Sequence, residues 1–211
     1  MLLLKNVVFD LDNTLYPPTT RVNELTNERF VRYVSRVAEV DEATARRMMF
    51  DWGALYDEPV LGLHKEYGVS IPEAMEYSGD VDLASVEADT ELAGLIKRMP
   101  QQKFIYTNNI FKHVKDTLAK LTIDIDDFSG IATYDRVDCR FKPAADSFRL
   151  MLELFKIQPR DSVFLEDKAA NLKTAKGFGL TTVLITPQET SLPYVDYVFP
   201  SATAAVRALF L

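Results

Sequence analysis

Two aspartates, Asp10 and Asp12, stand two residues apart at the end of an apolar run, Val7-Val8-Phe9, and are followed by Asn13-Thr14-Leu15. If extended backbone continues past Asp10, a period of two points both carboxylates the same way and turns Leu11 back into the protein. Two carboxylates in one small site repel each other unless a proton or cation lies between them. The spacing therefore points to a hard divalent metal, Mg2+ in particular. Polar groups recur at comparable places: Thr107-Asn108 after Lys103-Phe104-Ile105-Tyr106, Lys142 before Pro143, and Glu166-Asp167 after Ser162-Val163-Phe164-Leu165. Singly, each is accounted for by a polar turn or a helix start, where Asp, Asn and Thr are common. Parallel strands, however, bring their carboxyl ends to one edge, where ligands bind in open α/β sheets, so the sites after strands one, two and four should converge.

The elements that must position these groups are legible in outline. Leu2 to Phe9, apolar with little alternation, reads as a strand buried on both faces. Pro17-Pro18 stops regular structure. From Thr20 to about Ala54 the pattern is helical, with Val22, Leu25, Phe30, Val34 and Val37 at mixed threes and fours and a second helix start at Asp41-Glu42. Further helical pieces fall at 60–67 and 71–77, so that 17–89 reads as an all-helical insertion. Beyond it the chain alternates. A helix opens at Asp89-Thr90-Glu91, and strands are expected at 103–107, 131–133, 162–165 and 181–185, with an edge strand within 194–199. Helices follow at 110–120, from Pro143 to about Phe155, at 168–176 with Gly177 as its left-handed cap, and from Ser201. This alternation predicts an α/β fold with a parallel sheet and right-handed crossovers.

The string Phe9-Asp10-Leu11-Asp12-Asn13-Thr14-Leu15-Tyr16 resembles the first motif of the haloacid dehalogenase-like (HAD) hydrolases, most of which are phosphatases, and Tyr16-Pro17 is similar to the pyrimidine 5'-nucleotidase branch. Thr107-Asn108, Lys142 and Glu166-Asp167 match the second, third and fourth motifs, in order. The resemblance implies a Rossmann-like parallel core built from residues 1–16 and 90–211 and a helical cap, 17–89, acting as a lid. It implies that Asp10 is a nucleophile forming an aspartyl-phosphate and that Asp12 is the general acid and then the base. Haloalkanoate dehalogenases of this superfamily lack an acid at the second position, since a halide leaves without a proton. Asp12 thus favours phosphoryl transfer.

Thr107 and the Asn108 backbone N–H would bind the phosphate, and Lys142 would neutralise both phosphate and Asp10. Asp10, the backbone carbonyl of Asp12, and Asp167 would hold Mg2+, with Glu166 acting through a water and Asn171 behind it. The implied substrate is a small phosphorylated molecule, with a nucleoside 5'-monophosphate, pyrimidine favoured, as the leading class. A phosphoglycolate or sugar-phosphate phosphatase and a phosphomutase stand as alternatives, and a non-catalytic binding or scaffold protein of the same fold is the reading from a different class.

Composition narrows the partners. In 211 residues, 47% apolar, the net charge is −7, which disfavours nucleic acid polymers as partners because backbone binding relies on basic surface. The lone Cys139 cannot form an internal disulfide and fits a reducing cytoplasm. The apolar start Met1 to Leu4 is cut by Lys5, so neither secretion nor membrane insertion is expected. His64 and His113 each lack a Cys or His neighbour and read as surface residues or as packing within the cap. Phe50, Trp52, Tyr56 and Tyr67 are expected to form the core of the helical insertion, with one aromatic free to stack on a base. No G-x-G-x-x-G or Walker-type loop is present.

Overall fold

The computed structural model describes residues 4–210 and divides into two compact units. One comprises the chain up to Thr20 together with everything from Val86 onward; the other is Arg21–Ser85. The second unit is helical throughout: α1 (Val22–Ala38), α2 (Glu42–Tyr56), α3 (Pro59–Tyr67) and α4 (Ile71–Gly79). Asp41 caps α2 by accepting the Thr44 N–H at 2.9 Å, the expected role of Asp at such a start. Trp52 of α2 lies against the backbone of α3, where a Cβ on Gly62 would come within 2.1 Å of the indole. Its Nε1 donates to Glu66 at 2.8 Å. Phe50, by contrast, is 79% exposed and takes no part in that core. The helical period explains the departure: two residues along α2 turn a side chain by about 200°, so Trp52 and Phe50 cannot both face inward.

In the first unit, β1 (Asn6–Phe9), β2 (Gln102–Tyr106), β3 (Gly130–Ala132), β4 (Ser162–Glu166), β5 (Thr181–Ile185) and β6 (Tyr197–Phe199) form one all-parallel sheet in the order β3-β2-β1-β4-β5-β6. The described part of the first strand begins at Asn6, and the predicted start at Leu2 lies outside the described residues. All four residues of β1 are buried, as a central strand covered on both faces requires. Val8 is in register with Phe104 of β2 and Phe164 of β4. The order reverses at β1, the place where an open α/β sheet leaves a crevice beyond its strand ends.

The helices of this unit are α5 (Thr90–Arg98), α6 (Phe111–Lys120), α7 (Ala145–Phe155), α8 (Ala169–Phe178) and α9 (Ala202–Phe210). On one face of the sheet, Val8, Phe104, Tyr106, Phe164 and Leu184 pack with Phe148 and Met151 of α7 and with Leu172 and Ala175 of α8. Two helix ends differ from expectation. Pro143 precedes α7 instead of opening it, in a turn where the Ala144 N–H bonds to the Phe141 carbonyl at 2.9 Å. Gly177 lies inside α8, and the left-handed cap is Gly179, at φ 91°. There the Leu180 N–H reaches back to the Ala175 carbonyl at 3.2 Å while Leu180 itself is buried, so the cap also anchors the next apolar residue. No helix among the described residues is long and apolar enough to cross a membrane.

Candidate active site

Asp10 follows β1 directly, and its N–H still donates to the Leu165 carbonyl of β4 at 2.9 Å. Its carboxylate is therefore fixed at the mouth of the crevice. Past it the backbone leaves the extended form: Thr14 and Leu15 both turn their N–H groups back to the Leu11 carbonyl, and Asn13 adopts φ 63°. Asparagine tolerates that left-handed conformation. The turn aims two side chains back at the site. Thr14 Oγ1 donates to Asp10 Oδ2 at 3.0 Å, and Asn13 Nδ2 donates to Asp167 Oδ2 at 3.2 Å.

Lys142 closes the crevice from the other side. The residue is 3% exposed, and its Nζ donates to Asp10 Oδ1 at 2.6 Å, to Glu166 Oε2 at 2.9 Å and to the Tyr106 carbonyl at 2.9 Å. A lysine buried this deeply is held by the residue after Thr107. Asn108 accepts the Lys142 N–H at 2.8 Å through Oδ1 and donates Nδ2 to the Lys142 carbonyl at 3.0 Å. Thr107 is itself buried, bonded through its N–H to Ala132 of β3, and its Oγ1 accepts the Asn109 N–H at 3.1 Å. Glu166 has both oxygens engaged: Oε1 accepts the N–H groups of Asp167 and Lys168, and Oε2 accepts Asn171 Nδ2 at 2.8 Å besides Lys142. The sequence-predicted groups at Asp10, Lys142, Glu166 and Asp167 thus meet in one place, with Asn171 behind them.

Charge in this place is unbalanced. Oxygens of Asp10, Glu166 and Asp167 lie within 4.8 Å of one another, against a single lysine. Burial, and then the charge of Glu166, push Asp10 up to about 7 in spite of Lys142. Burial, and then Glu166, push Asp167 up to about 8. Burial would also raise Glu166, but Lys142 and the donors on its two oxygens outweigh it and hold that carboxyl below its ordinary value. Lys142 is raised in turn, its burial outweighed by Asp10 and Glu166. Glu166 is thus the settled partner of Lys142, while Asp10 shares that lysine and Asp167 lies beside two other acids, so both resist ionisation. An all-oxygen set with excess negative charge fits a hard divalent cation such as Mg2+.

The Asp12 carboxylate is absent from that cluster. Its Oδ1 is 2.6 Å from His113 Nε2 and accepts the Tyr16 hydroxyl at 2.5 Å, and its Oδ2 accepts Asn109 Nδ2 at 3.3 Å. Burial works to raise this carboxyl, but the His113 charge, followed by the bonds from His113, Tyr16 and Asn109, brings it down to about 2. For His113, burial opposes the charged form and Asp12 outweighs it, so the imidazole is raised. Two expectations are corrected here. The period of two that would aim both carboxylates into one metal site ends at Leu11, where the turn begins. His113, expected to be an isolated packing or surface residue, is 2% exposed and bonded to the second aspartate. A signal for it exists in the chain: a polar residue in the first turn of the helix after strand two lies at the same sheet edge as the strand-one motif. Tyr16, four residues past Asp12 in a tight turn, carried a comparable signal.

A family model described as haloacid dehalogenase-like hydrolase matches residues 4–179. The chain belongs to that family. Among curated proteins, the HAD-like chain is 25% identical over 166 residues to the bifunctional epoxide hydrolase 2 of Rattus norvegicus, a match covering 74% of this chain and 30% of that protein. The chain spans about a third of the length of the curated relatives of this kind that it matches. Among solved structures, CbbY from Rhodobacter sphaeroides in complex with phosphate superposes with a TM-score of 0.66 at 19% identity, covering 95% of both chains. The L-2-haloacid dehalogenase of Xanthobacter autotrophicus does so with a TM-score of 0.58 at 15% identity, covering 98% of both. At such identities the likeness is one of fold, and that fold is common to a phosphate-bound protein and a dehalogenase. The side chains of the crevice must distinguish the two chemistries.

Proposed function

We propose that this HAD-like hydrolase is a Mg2+-dependent phosphomonoesterase that works through an aspartyl-phosphate on Asp10. The observation that carries the reading is the provision made for Asp12: a second carboxyl, beside the first in sequence and held by its own set of donors. A halide leaving group needs no proton, whereas an alkoxide does, and a dedicated proton-transfer group is of use only in the second case. The phosphate bound to CbbY is in keeping with the same choice.

Asp10 would attack phosphorus, so that a bond forms between its carboxylate oxygen and phosphorus while the bond to the leaving oxygen breaks. Asp12 would give that oxygen a proton. In the second half, water would lose a proton to Asp12 and attack phosphorus, the bond to Asp10 would break, and both carboxyls would return to their starting forms. Lys142 Nζ, already on Asp10 Oδ1, would orient the nucleophile and offset phosphate charge, and Thr107 with the Asn108 N–H would bind phosphate oxygens. Asp10, Asp167 and the Asp12 carbonyl would hold Mg2+, with Glu166 behind them. The ion, when bound, supplies positive charge for the phosphoryl oxygens.

The substrate class we propose is a nucleoside 5'-monophosphate, with pyrimidine favoured by the Tyr16-Pro17 continuation of the first motif. Residues 17–89 would act as the cap that selects it. Phosphate release from a panel of nucleoside, sugar and small-acid monophosphates, each with Mg2+ and with a chelator, tests this. Mg2+-dependent turnover confined to pyrimidine nucleotides supports the whole reading; turnover spread over other phosphates keeps the chemistry and discards the substrate; no turnover at all discards the chemistry.

A further inference from the structure

The two oxygens of Asp12 are held unequally. Oδ1 receives two short bonds, from His113 Nε2 at 2.6 Å and Tyr16 Oη at 2.5 Å, whereas Oδ2 receives a longer one, 3.3 Å, from Asn109. A carboxylate oxygen accepts about two hydrogen bonds in good geometry, so Oδ1 is filled. The partners are also anchored independently of one another. Tyr16 belongs to the turn that follows β1, and His113 sits in α6, both buried. Asn109 lies between β2 and α6, its own Oδ1 accepting the Ile110 N–H at 2.9 Å. The Asp12 side chain keeps 19% of its surface exposed, against 1% for His113. Three anchored donors thus grip a side chain that is still open to a reactant, and the two short bonds both fall on one oxygen.

We propose that His113, with Tyr16, is a positioning residue for proton transfer: by filling Oδ1 it fixes the Asp12 carboxyl plane and assigns Oδ2 as the oxygen that exchanges a proton with the leaving group and later with water. The proposal rests on the phosphatase reading and adds to it which atom moves the proton and which residues aim it. It carries a signature that a role in folding lacks. A proton donor matters for a leaving group that is a poor anion, such as the alkoxide of a nucleoside or sugar, and matters little for p-nitrophenolate, which departs without help.

The test compares wild type, His113→Ala, His113→Gln and Tyr16→Phe, with Mg2+ present, on p-nitrophenyl phosphate and on the best alkyl or nucleoside phosphate. We expect His113→Ala to lose on the order of 10²-fold in kcat on the alkyl substrate and under about tenfold on the aryl one. KM should change less than about threefold on both. Gln, whose amide nitrogen can stand near the place of Nε2, should recover part of the alkyl rate. Tyr16→Phe, which removes one hydroxyl from Oδ1, should show the same selectivity to a smaller degree and reads the effect even if His113→Ala does not fold. Equal losses on both substrates in the folded variants would overturn the positioning role and leave the phosphatase reading standing. So would wild-type rates left unchanged by Tyr16→Phe and His113→Gln. Wild-type turnover of aryl phosphate alone would also overturn it, because an aimed donor is what the poor leaving group requires. A wild type silent on every phosphate ester fails at the earlier step and takes both with it.

Discussion

Asp10 and Asp12 are the same residue type two positions apart, and their surroundings drive them in opposite directions. Burial and the Glu166 charge push Asp10 up to about 7, whereas Asp12, also pressed upward by burial, is brought down to about 2 by His113, Tyr16 and Asn109. The cause is who shares the partner. Lys142 divides its charge between Asp10 and Glu166, with Asp167 close by, so its side of the crevice holds three acids to one base. His113 serves Asp12 with the help of two neutral donors. The two aspartates of this motif thus sit in two separate settings, one crowded with acids around a shared lysine, the other supplied with its own donors.

The largest effect that could break this comparison is chemical. Asp10→Asn should lower phosphatase turnover on the order of 10³-fold or more while the far-ultraviolet circular dichroism spectrum is unchanged; activity near wild type would remove Asp10 as nucleophile. Next comes the lysine. Lys142→Met leaves Asp10 and Glu166 buried without their cation and should destabilise the fold by about 3–5 kcal/mol in urea titration, the usual result of breaking a buried ion pair. The two aspartates should then separate in stability as well. Near pH 7 without metal, Asp10→Asn removes a carboxyl that resists ionisation and should leave the melting temperature equal or higher. Asp12→Asn removes a well-satisfied carboxylate and should cost about 1–3 kcal/mol. Equal shifts in the two variants would contradict the division.

A pH series sharpens the same point. Asp10 and Asp167 have folded-state values of about 7 and about 8, above the ordinary 3.8. Their contribution to stability is therefore fully present below about pH 4 and is lost as pH rises through 7 to 8. Asp12, depressed to about 2, contributes in the opposite sense, above its unfolded value, and is lost as pH falls through 2. Metal-free protein should accordingly lose melting temperature between pH 4 and pH 8, Asp167→Asn should lose less, and saturating Mg2+ should flatten the slope, as differential scanning fluorimetry would reveal. The smallest effect expected is at Asn13. Asn13→Gly keeps the left-handed backbone and deletes the bond to Asp167, and should cost roughly 1 kcal/mol or less with a modest loss of Mg2+ affinity.

The fold was legible because its signals are redundant. β1 carries the unbroken apolar run Val7-Val8-Phe9, as a central strand does, and β2, β4 and β6 each lead into a helix. The groups around Lys142 were legible for the same reason: three strand-end motifs, with Lys142 in order between the second and third, leave little freedom about which edge they share. Helix ends were less so, since Gly177 and Gly179 both sit near the end of α8 and only the packing of Leu180 decides between them. Phe50 and Trp52 could not be told apart without knowing which face of α2 is covered. His113 and Tyr16 were obscured for another reason. His113 is remote from Asp12 in sequence, Tyr16 is near it only if the chain turns, and their meeting depends on a turn whose left-handed residue, Asn13, ends the alternation that a sequence reading extends past Asp10.

The central claim, that the first aspartate takes the phosphoryl group and the second moves the proton, is tested most directly by trapping. Asp12→Asn protein, mixed with p-nitrophenyl phosphate and Mg2+ and quenched in acid, should yield a peptide containing Asp10 that carries one phosphoryl group, because the first step proceeds with a good leaving group while hydrolysis lacks its base. Nitrophenol released steadily with no phosphoryl group on that peptide, or with the group on another residue, would contradict the account.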